Sequence, residues 1–252
     1  MKIFDILKSR WAEAMMVAGL QACCLVMLGD FQHLEEQPPS FGRFFLVGIG
    51  IAVFGIISQM LFWGFLRTAA VGGTQSAQPM ELLRTGRNYF WKLLIFQLAW
   101  FVVFLFLVLM IQSGVSFFLH LEISPEKTPV WLGILSMLAA SVVLVKLTYF
   151  VPAVMLVQDC GMWEALRRLR EFCVLKMGQF LLLFVVVFGV LFAVEYVSSL
   201  VDQKHILYYP ALAVQAVLSA SGMLALFLAA VLEVGRQTPI AKSEEPAENE
   251  AK

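Results

Sequence analysis

The chain has 252 residues, of which 60% are hydrophobic and 13% aromatic, and its mean hydropathy is +0.83. Its 18 basic and 18 acidic side chains cancel to a net charge of zero. Soluble domains contain about 45–50% apolar residues, so this composition excludes a water-soluble fold.

Six segments are long and apolar enough to cross a membrane as helices. A crossing needs about 20 mostly apolar residues, because each residue of an α-helix advances 1.5 Å through roughly 30 Å of hydrocarbon. The predicted spans cover residues 12–28, 44–66, 93–118, 130–151, 180–200 and 208–232. None alternates apolar and polar residues as barrel strands do, so the sequence predicts an all-α polytopic membrane protein with six transmembrane helices.

Basic residues are concentrated on one side of the predicted membrane. Segments 30–43, 119–129 and 201–207 contain only Arg43, Lys127 and Lys204 as bases. Almost all the others lie in the intervening segments and at the chain ends: Lys2, Lys8, Arg10, Arg67, Arg84, Arg87, Lys92, Arg167, Arg168, Arg170, Lys176, Arg236, Lys242 and Lys252. The positive-inside rule therefore places both termini in the cytosol, and we expect the bacterial cytoplasmic membrane.

A short amphipathic stretch precedes each predicted pair of spans on the cytosolic side. The three copies read Asp5-Ile6-Leu7-Lys8, Glu81-Leu82-Leu83-Arg84 and Glu164-Ala165-Leu166-Arg167. An acid followed three residues later by a base forms a helical ion pair. The pattern predicts three hairpins, each preceded by an amphipathic helix in the membrane interface.

These repeat units cover about residues 1–66, 79–157 and 162–236 of one transmembrane domain, 1–236. Residues 237–252 are rich in Glu, Ala and Lys, which predicts a disordered acidic cytosolic tail. A sharper hypothesis gives the arginines of the amphipathic stretches contacts with anionic lipid headgroups. Those candidates are Arg84, Arg87, Arg167, Arg168 and Arg170.

One segment resembles a known family. The run Phe150-Val151-Pro152-Ala153-Val154-Met155-Leu156, then Gly161 and Glu164-Ala165-Leu166-Arg167-Arg168, then an apolar helix from Phe180, is similar to a bacterial six-helix integral membrane family. That family includes uncharacterised membrane proteins and the membrane domains fused to glycerophosphodiester phosphodiesterases. In the fused relatives the hydrolase is a separate soluble domain, so the resemblance implies no catalytic residue in this chain. It implies a membrane module, and one interpretation is that the module associates with lipid.

Two charged residues near or inside the spans are candidates for an intramembrane polar site. Lys146 lies within the fourth predicted span, where a charge is expensive, and Glu233 lies near the cytosolic end of the sixth. Lys146 either snorkels toward the headgroups or pairs with Glu233 along a substrate or ion path. For Gln59, Gln97 and other polar residues in the spans we expect interhelical hydrogen bonds.

The three histidines, His33, His120 and His205, fall in or beside the external segments, and each is near a carboxylate. Such a set could bind a metal ion, but ordinary interfacial histidines explain the same pattern. We therefore expect no metal and no cofactor.

Small residues predict which spans pack centrally, because they let helix backbones approach. The sixth span is the richest in Ala, Ser and Gly, so we expect it in the centre, with the third and fifth spans facing lipid. The second span has a smaller surface of this kind in Gly48, Gly50, Ala52 and Gly55.

The sequence favours a non-enzymatic integral membrane protein that acts as a scaffold, assembly or lipid-associated module. Its expected partners are membrane lipids and other membrane proteins, not nucleic acid. No zinc-protease, phosphate-loop or nucleophile motif is visible. The alternative is a small transporter or channel subunit with a polar site around Lys146 and Glu233.

Overall fold

The computed structural model describes residues 3–33, 41–118, 130–169, 177–199 and 208–237, which form eight helices and no strand. The helices are α1 (Ile3–Ser9), α2 (Trp11–His33), α3 (Phe41–Gly72), α4 (Pro79–Phe118), α5 (Val130–Gln158), α6 (Met162–Arg168), α7 (Met177–Ser199) and α8 (Tyr208–Gln237). The predicted tail, 237–252, lies outside this part except for Gln237, which ends α8.

Among the residues that the structure describes, four helices are long and apolar enough to cross a membrane. The qualifying segments are Val47–Gly72 in α3, Pro79–Phe117 in α4, Leu135–Gln158 in α5 and Pro210–Gln237 in α8. Within the described residues, the apolar stretches Trp11–Met27 in α2 and Phe180–Leu191 in α7 are shorter. The chain is therefore an all-α, multi-pass membrane protein.

The three predicted amphipathic stretches differ from one another in the structure. The first and third form the separate short helices α1 and α6, whereas the second is continuous with the following span in the 40-residue helix α4. Nothing between Arg84 and Leu93 breaks the helix. At 1.5 Å per residue, α4 is about 60 Å long, twice the thickness of the hydrocarbon, so it extends beyond the membrane core.

Backbone geometry explains where two helices end. Gly73 follows the last residue of α3 with a φ of 62°, the left-handed conformation typical of a glycine after a helix. Asp159 follows α5 with a φ of 49°, and Asp is one of the few non-glycine residues that adopt this region readily. Pro152 does not end α5, which continues to Gln158.

The helix α8 packs centrally, as its small residues predict. It contacts α1, α2, α3, α5 and α7. Exposed large apolar side chains are numerous on α4 and α7, including Phe101, Phe106, Leu182 and Val185, as the prediction that the third and fifth spans face lipid requires.

A cluster of aromatic rings joins four helices in the core. Phe227 of α8 contacts Phe62 and Trp63 of α3 edge to face, with ring centroids 5.6 and 5.2 Å away. Its ring also lies 4.8 Å from that of Tyr149 in α5, which in turn contacts Phe180 of α7. Such ring pairs add to the stabilisation from burial.

Two glycines allow α3 and α4 to cross at close range. A Cβ atom added to Gly64 would lie 2.0 Å from the carbonyl oxygen of Leu82, and one added to Gly86 would lie 1.7 Å from that of Met60. The contact is reciprocal, since each helix presents a glycine and, four residues earlier, a carbonyl. The predicted small surface of the second span is different: Gly50 has nothing within 4 Å, and Gly55 makes only an ordinary contact with Cys24.

Candidate functional site

A buried ion pair joins the beginning of α2 to the end of α3. Arg10 is 1% exposed and donates through Nε and Nη2 to Glu13 Oε2, with an Nε–Oε2 distance of 3.0 Å. Its Nη2 also donates to Thr68 Oγ1 at 2.8 Å, and its guanidinium lies 4.8 Å from the ring centroid of Phe65. Glu13 Oε1 accepts the Ala77 N–H at 3.0 Å, which fixes the segment between α3 and α4.

A second arginine joins the end of α3 to the end of α5. Arg67 Nη1 donates to the carbonyl oxygens of Leu156 and Val157, the latter at 2.9 Å. These are among the last carbonyls of a helix, which have no intrahelical partner. The Arg67 guanidinium and the Lys92 ammonium each lie 5.7 Å from the Tyr89 ring centroid. We call the end of the bundle formed by the Arg10 and Arg67 contacts the charged end.

Residues around α6 complete the charged end. Lys92 pairs with Asp159 at 3.5 Å, and Arg168 donates to Gln158 Oε1 at 2.6 Å and pairs with Glu164. Glu164 therefore pairs with the base four residues later, not with Arg167 as the repeat suggested. Burial, followed by the charge of Glu164, raises the pKa of the Cys160 thiol, so this cysteine is held in the protonated form.

The candidate headgroup arginines fall into three groups. Arg84, Arg87 and Arg167 have exposed side chains. Arg168 is partly buried by its contacts with Gln158 and Glu164. Arg170 lies outside the described residues.

Three tryptophans near the charged end are exposed. Trp11 on α2 and Trp91 on α4 are each 65% exposed, and Trp163 on α6 is 77% exposed. Exposed indole rings are expensive in water, whereas tryptophan is enriched at the membrane–water interface. We call these three residues the tryptophan belt.

The structure does not join the two charged residues of the predicted intramembrane site. Glu233 accepts a hydrogen bond from Gln237 at 3.1 Å and lies 3.7 Å from Arg236. Lys146 is partly buried, and within the described part of the chain no ion pair links it to Glu233. The local partners of Glu233 on its own helix satisfy its carboxylate near the end of α8.

The predicted histidine site cannot be placed. His120 and His205 lie outside the described residues, as does the side chain of His33 at the end of α2. Within the residues that the structure describes, no group of His, Cys, Asp or Glu could hold a metal ion.

A cavity of about 310 Å³ lies among α2, α3, α4 and α8. We call it the amide cavity, because three glutamines, Gln21, Gln59 and Gln97, line it together with Ser219 and apolar side chains. Not every amide group forms the predicted interhelical hydrogen bond. Gln21 Nε2 and Gln59 Oε1 are buried without a partner among the described residues. Gln21 was not singled out from the sequence, although its signal, a glutamine inside an apolar span, is the same as that of Gln59 and Gln97.

A larger cavity of about 370 Å³, the aromatic groove, adjoins the amide cavity and shares Gln97, Met223 and Phe227 with it. The other lining residues come from α4, α5 and α7: Phe96, Trp100, Phe101, Phe104, Ser141, Thr148, Tyr149, Pro152, Phe184 and Phe188. Phe101 is 58% exposed, so the groove opens toward the surface of the bundle. Both cavities have the size of small-molecule sites.

Comparisons of the chain with protein-family models, curated proteins and solved structures found no match. The resemblance to the six-helix membrane family therefore stays a prediction.

Proposed function

We propose that this chain is a non-enzymatic, lipid-associated membrane module that binds anionic headgroups at its charged end and supports the assembly of other membrane proteins. In this proposal six helices span the bacterial cytoplasmic membrane in three hairpins, and both termini are cytosolic. The proposal depends above all on one observation, the exposed tryptophan belt beside the exposed arginines.

The positions of the two residue types match the two layers of a membrane interface. Trp91 follows Arg84 by seven residues on α4, a rise of about 10 Å. An arginine at headgroup level then places the indole at the boundary with the acyl chains, where tryptophan is most stable. On α6, Trp163 and Arg167 are exposed one turn apart, as expected for a short helix lying in the interface.

Charge supports an anionic partner. Arg84, Arg87 and Arg167 are exposed, and each base near a membrane surface contributes about 1 kcal/mol of attraction to anionic lipid. The buried Arg10 and the partly buried Arg67 are already engaged by protein groups. The charged end thus contains two kinds of arginine: those that bind other protein groups, and exposed ones that can bind lipid headgroups.

Native mass spectrometry of the full chain with phosphatidylglycerol and phosphatidylcholine tests the proposal. We expect selective retention of phosphatidylglycerol, reduced at least tenfold by the combined changes Arg84→Gln, Arg87→Gln and Arg167→Gln, as about 1 kcal/mol per base implies. The matched control removes three bases from the opposite side, through Arg43→Gln, Lys127→Gln and Lys204→Gln. Equal loss in both variants, or no preference for the anionic lipid, would refute the headgroup proposal.

The proposed orientation has its own test. A cysteine introduced at Arg167 should react with a membrane-impermeant maleimide only after the membrane is opened. Labelling in intact cells would place the charged end outside.

A further inference from the structure

The amide cavity contains polar groups that the protein leaves unsatisfied. Gln21 Nε2 on α2 is a hydrogen-bond donor and Gln59 Oε1 on α3 is an acceptor, and both are buried without a partner among the described residues. Gln97 on α4 brings a third amide to the same cavity. Buried polar groups are nearly always paired, so this arrangement points to a partner supplied from the cavity.

The depth of the cavity restricts the partner to an uncharged group. Gln21 follows Arg10 by eleven residues and Gln59 precedes Arg67 by eight, so they lie about 16 and 12 Å from the charged end. With the charged end at the edge of the hydrocarbon, as in the proposed function, this distance is near the middle of a core of roughly 30 Å. The described lining of both cavities includes no charged side chain, and nothing there would compensate a phosphate or an ammonium group.

The adjoining aromatic groove is suited to a hydrocarbon chain. Its walls are mainly phenylalanine and tryptophan rings, and it opens beside the exposed Phe101. The two cavities share Gln97, Met223 and Phe227. The two cavities therefore lie side by side, and a molecule that passes Met223 and Phe227 can place its polar head among the amides and its chain against the rings.

We infer that the amide cavity binds the hydroxyl head of an uncharged membrane lipid whose hydrocarbon chain lies in the aromatic groove. A hydroxyl both donates and accepts hydrogen bonds, so in this inference one lipid hydroxyl donates to the Gln59 carbonyl and accepts from the Gln21 amide, once these two amides turn toward the cavity. Diacylglycerols and long-chain isoprenoid alcohols share this chemistry. The site and the ligand differ from the anionic headgroups of the proposed function, so either idea can fail alone.

Native mass spectrometry and thermal unfolding of the full chain in mild detergent test the inference. The probes are dioleoylglycerol and farnesol, each compared with its hydroxyl-capped form, dioleoyl-acetylglycerol and farnesyl methyl ether. We expect at least one free alcohol to be retained and to raise Tm, and its capped form to bind about tenfold more weakly, since the cap removes the donor. Which alcohol is retained distinguishes the two lipid sources. Equal binding of free and capped forms, or no binding of either alcohol, overturns the inference.

Variants of the amides separate binding from folding. The double variant Gln21→Leu, Gln59→Leu should lose the alcohol about tenfold or more, yet its Tm without lipid should equal or exceed that of the wild type, because two unpaired polar groups are removed. Gln215→Leu on α8 is the matched control and should change neither result, since Gln215 does not line the cavity. Retained binding in the double variant, or a Tm without lipid well below the wild type, contradicts a binding role for the amides.

A cavity-filling variant gives a second, independent test. Ala220 lines the amide cavity and is 4% exposed, so Ala220→Met occupies the space while leaving the glutamines intact. We expect loss of alcohol binding with phosphatidylglycerol retention unchanged. Undiminished alcohol binding would place the lipid elsewhere and overturn the inference.

Discussion

The buried ion pair of Arg10 and Glu13 should be strongly coupled in stability. The side chains of Arg10 and Glu13 are 0% and 10% exposed, and each has a further partner, Thr68 Oγ1 for Arg10 and the Ala77 N–H for Glu13. Removing one member of a buried pair leaves an uncompensated charge and costs about 3–5 kcal/mol. Replacing both with neutral residues of similar size is far less costly, because no charge stays buried.

The variants Arg10→Met, Glu13→Gln and their combination form a double-mutant cycle. Glu13→Gln keeps an oxygen for the Ala77 N–H, so its effect isolates the loss of charge. We expect each single change to destabilise by about 3 kcal/mol or more, a fall in Tm of at least about 6 °C for a chain of this size. The double variant should recover about 2 kcal/mol or more of the summed loss, within the range of coupling seen for contacting residues.

Reversible unfolding in mixed detergent micelles measures these free energies, with thermal unfolding as a second readout. Arg84→Met is the control, because that arginine is exposed on the same end of the bundle and should change stability by no more than about 0.5 kcal/mol. Strictly additive effects of the two single changes would show that Arg10 and Glu13 do not compensate each other in the folded protein. In that case the buried pair could not be what fixes α2 against the end of α3.

Three further predictions concern the helix crossing, the cap on α5 and the buried thiol. Gly86→Ala should lower the free energy of unfolding by about 2–3 kcal/mol, because the added Cβ clashes with the Met60 carbonyl. The control is Gly114→Ala on the same helix, whose added Cβ meets nothing within 4 Å and which should not lower the free energy of unfolding in the same assay. Arg67→Gln should lower the free energy of unfolding by about 2–3 kcal/mol, because the Leu156 and Val157 carbonyls lose a charged hydrogen-bond donor. Arg87→Gln, at an exposed arginine, should leave the free energy of unfolding nearly unchanged. Equal effects of the two changes would contradict the capping role of Arg67. In a variant that keeps Cys160 as its single cysteine, this thiol should react with maleimide at pH 7 at least about tenfold more slowly than a single cysteine placed at Arg167. Because the pKa of Cys160 is raised, its reaction rate should keep rising with pH through and above the usual thiol pKa of about 8.5. Equal rates at pH 7 would contradict the burial and the raised pKa.

The apolar spans were predictable because a membrane imposes a length and a composition on every helix that crosses it. Segments 44–66, 93–118, 130–151 and 208–232 correspond to α3, α4, α5 and α8. The boundaries of α4 were not predictable from hydropathy, because a helix can continue into the aqueous phase where the sequence contains no break. Whether an amphipathic stretch forms a separate helix depends on turns such as that at Asp159.

The close crossing of α3 and α4 shows what composition alone misses. The sequence predicted a close helix contact at the glycine-rich part of the second span. The glycines that lie against the backbone of the other helix are instead Gly64 and Gly86, each isolated among larger residues. A glycine matters where another backbone passes, and that position is set by how two helices pack. No spacing rule within one helix identifies Gly86, because its neighbour, the Met60 carbonyl, is 26 residues away.

From the charged end to the middle of α2 and α3, charged side chains come first and uncharged polar side chains lie farther along. This order is expected if the helices cross a membrane, because the hydrocarbon disfavours charge. Ionised side chains in the middle of a membrane helix cost about 2.5–3.5 kcal/mol or more, and the buried pair Arg10–Glu13 and the carbonyl-bound Arg67 accordingly lie at the charged end, where partners are close. Farther along α2 and α3 the polar groups are the neutral amides of Gln21 and Gln59. Among the described residues, Lys146 departs from this order, because it is partly buried and lies twelve residues before the end of α5; that its ammonium snorkels toward the headgroups stays a prediction. In our proposals the ligand of the amide cavity is therefore uncharged, whereas anionic headgroups meet the protein at its charged end.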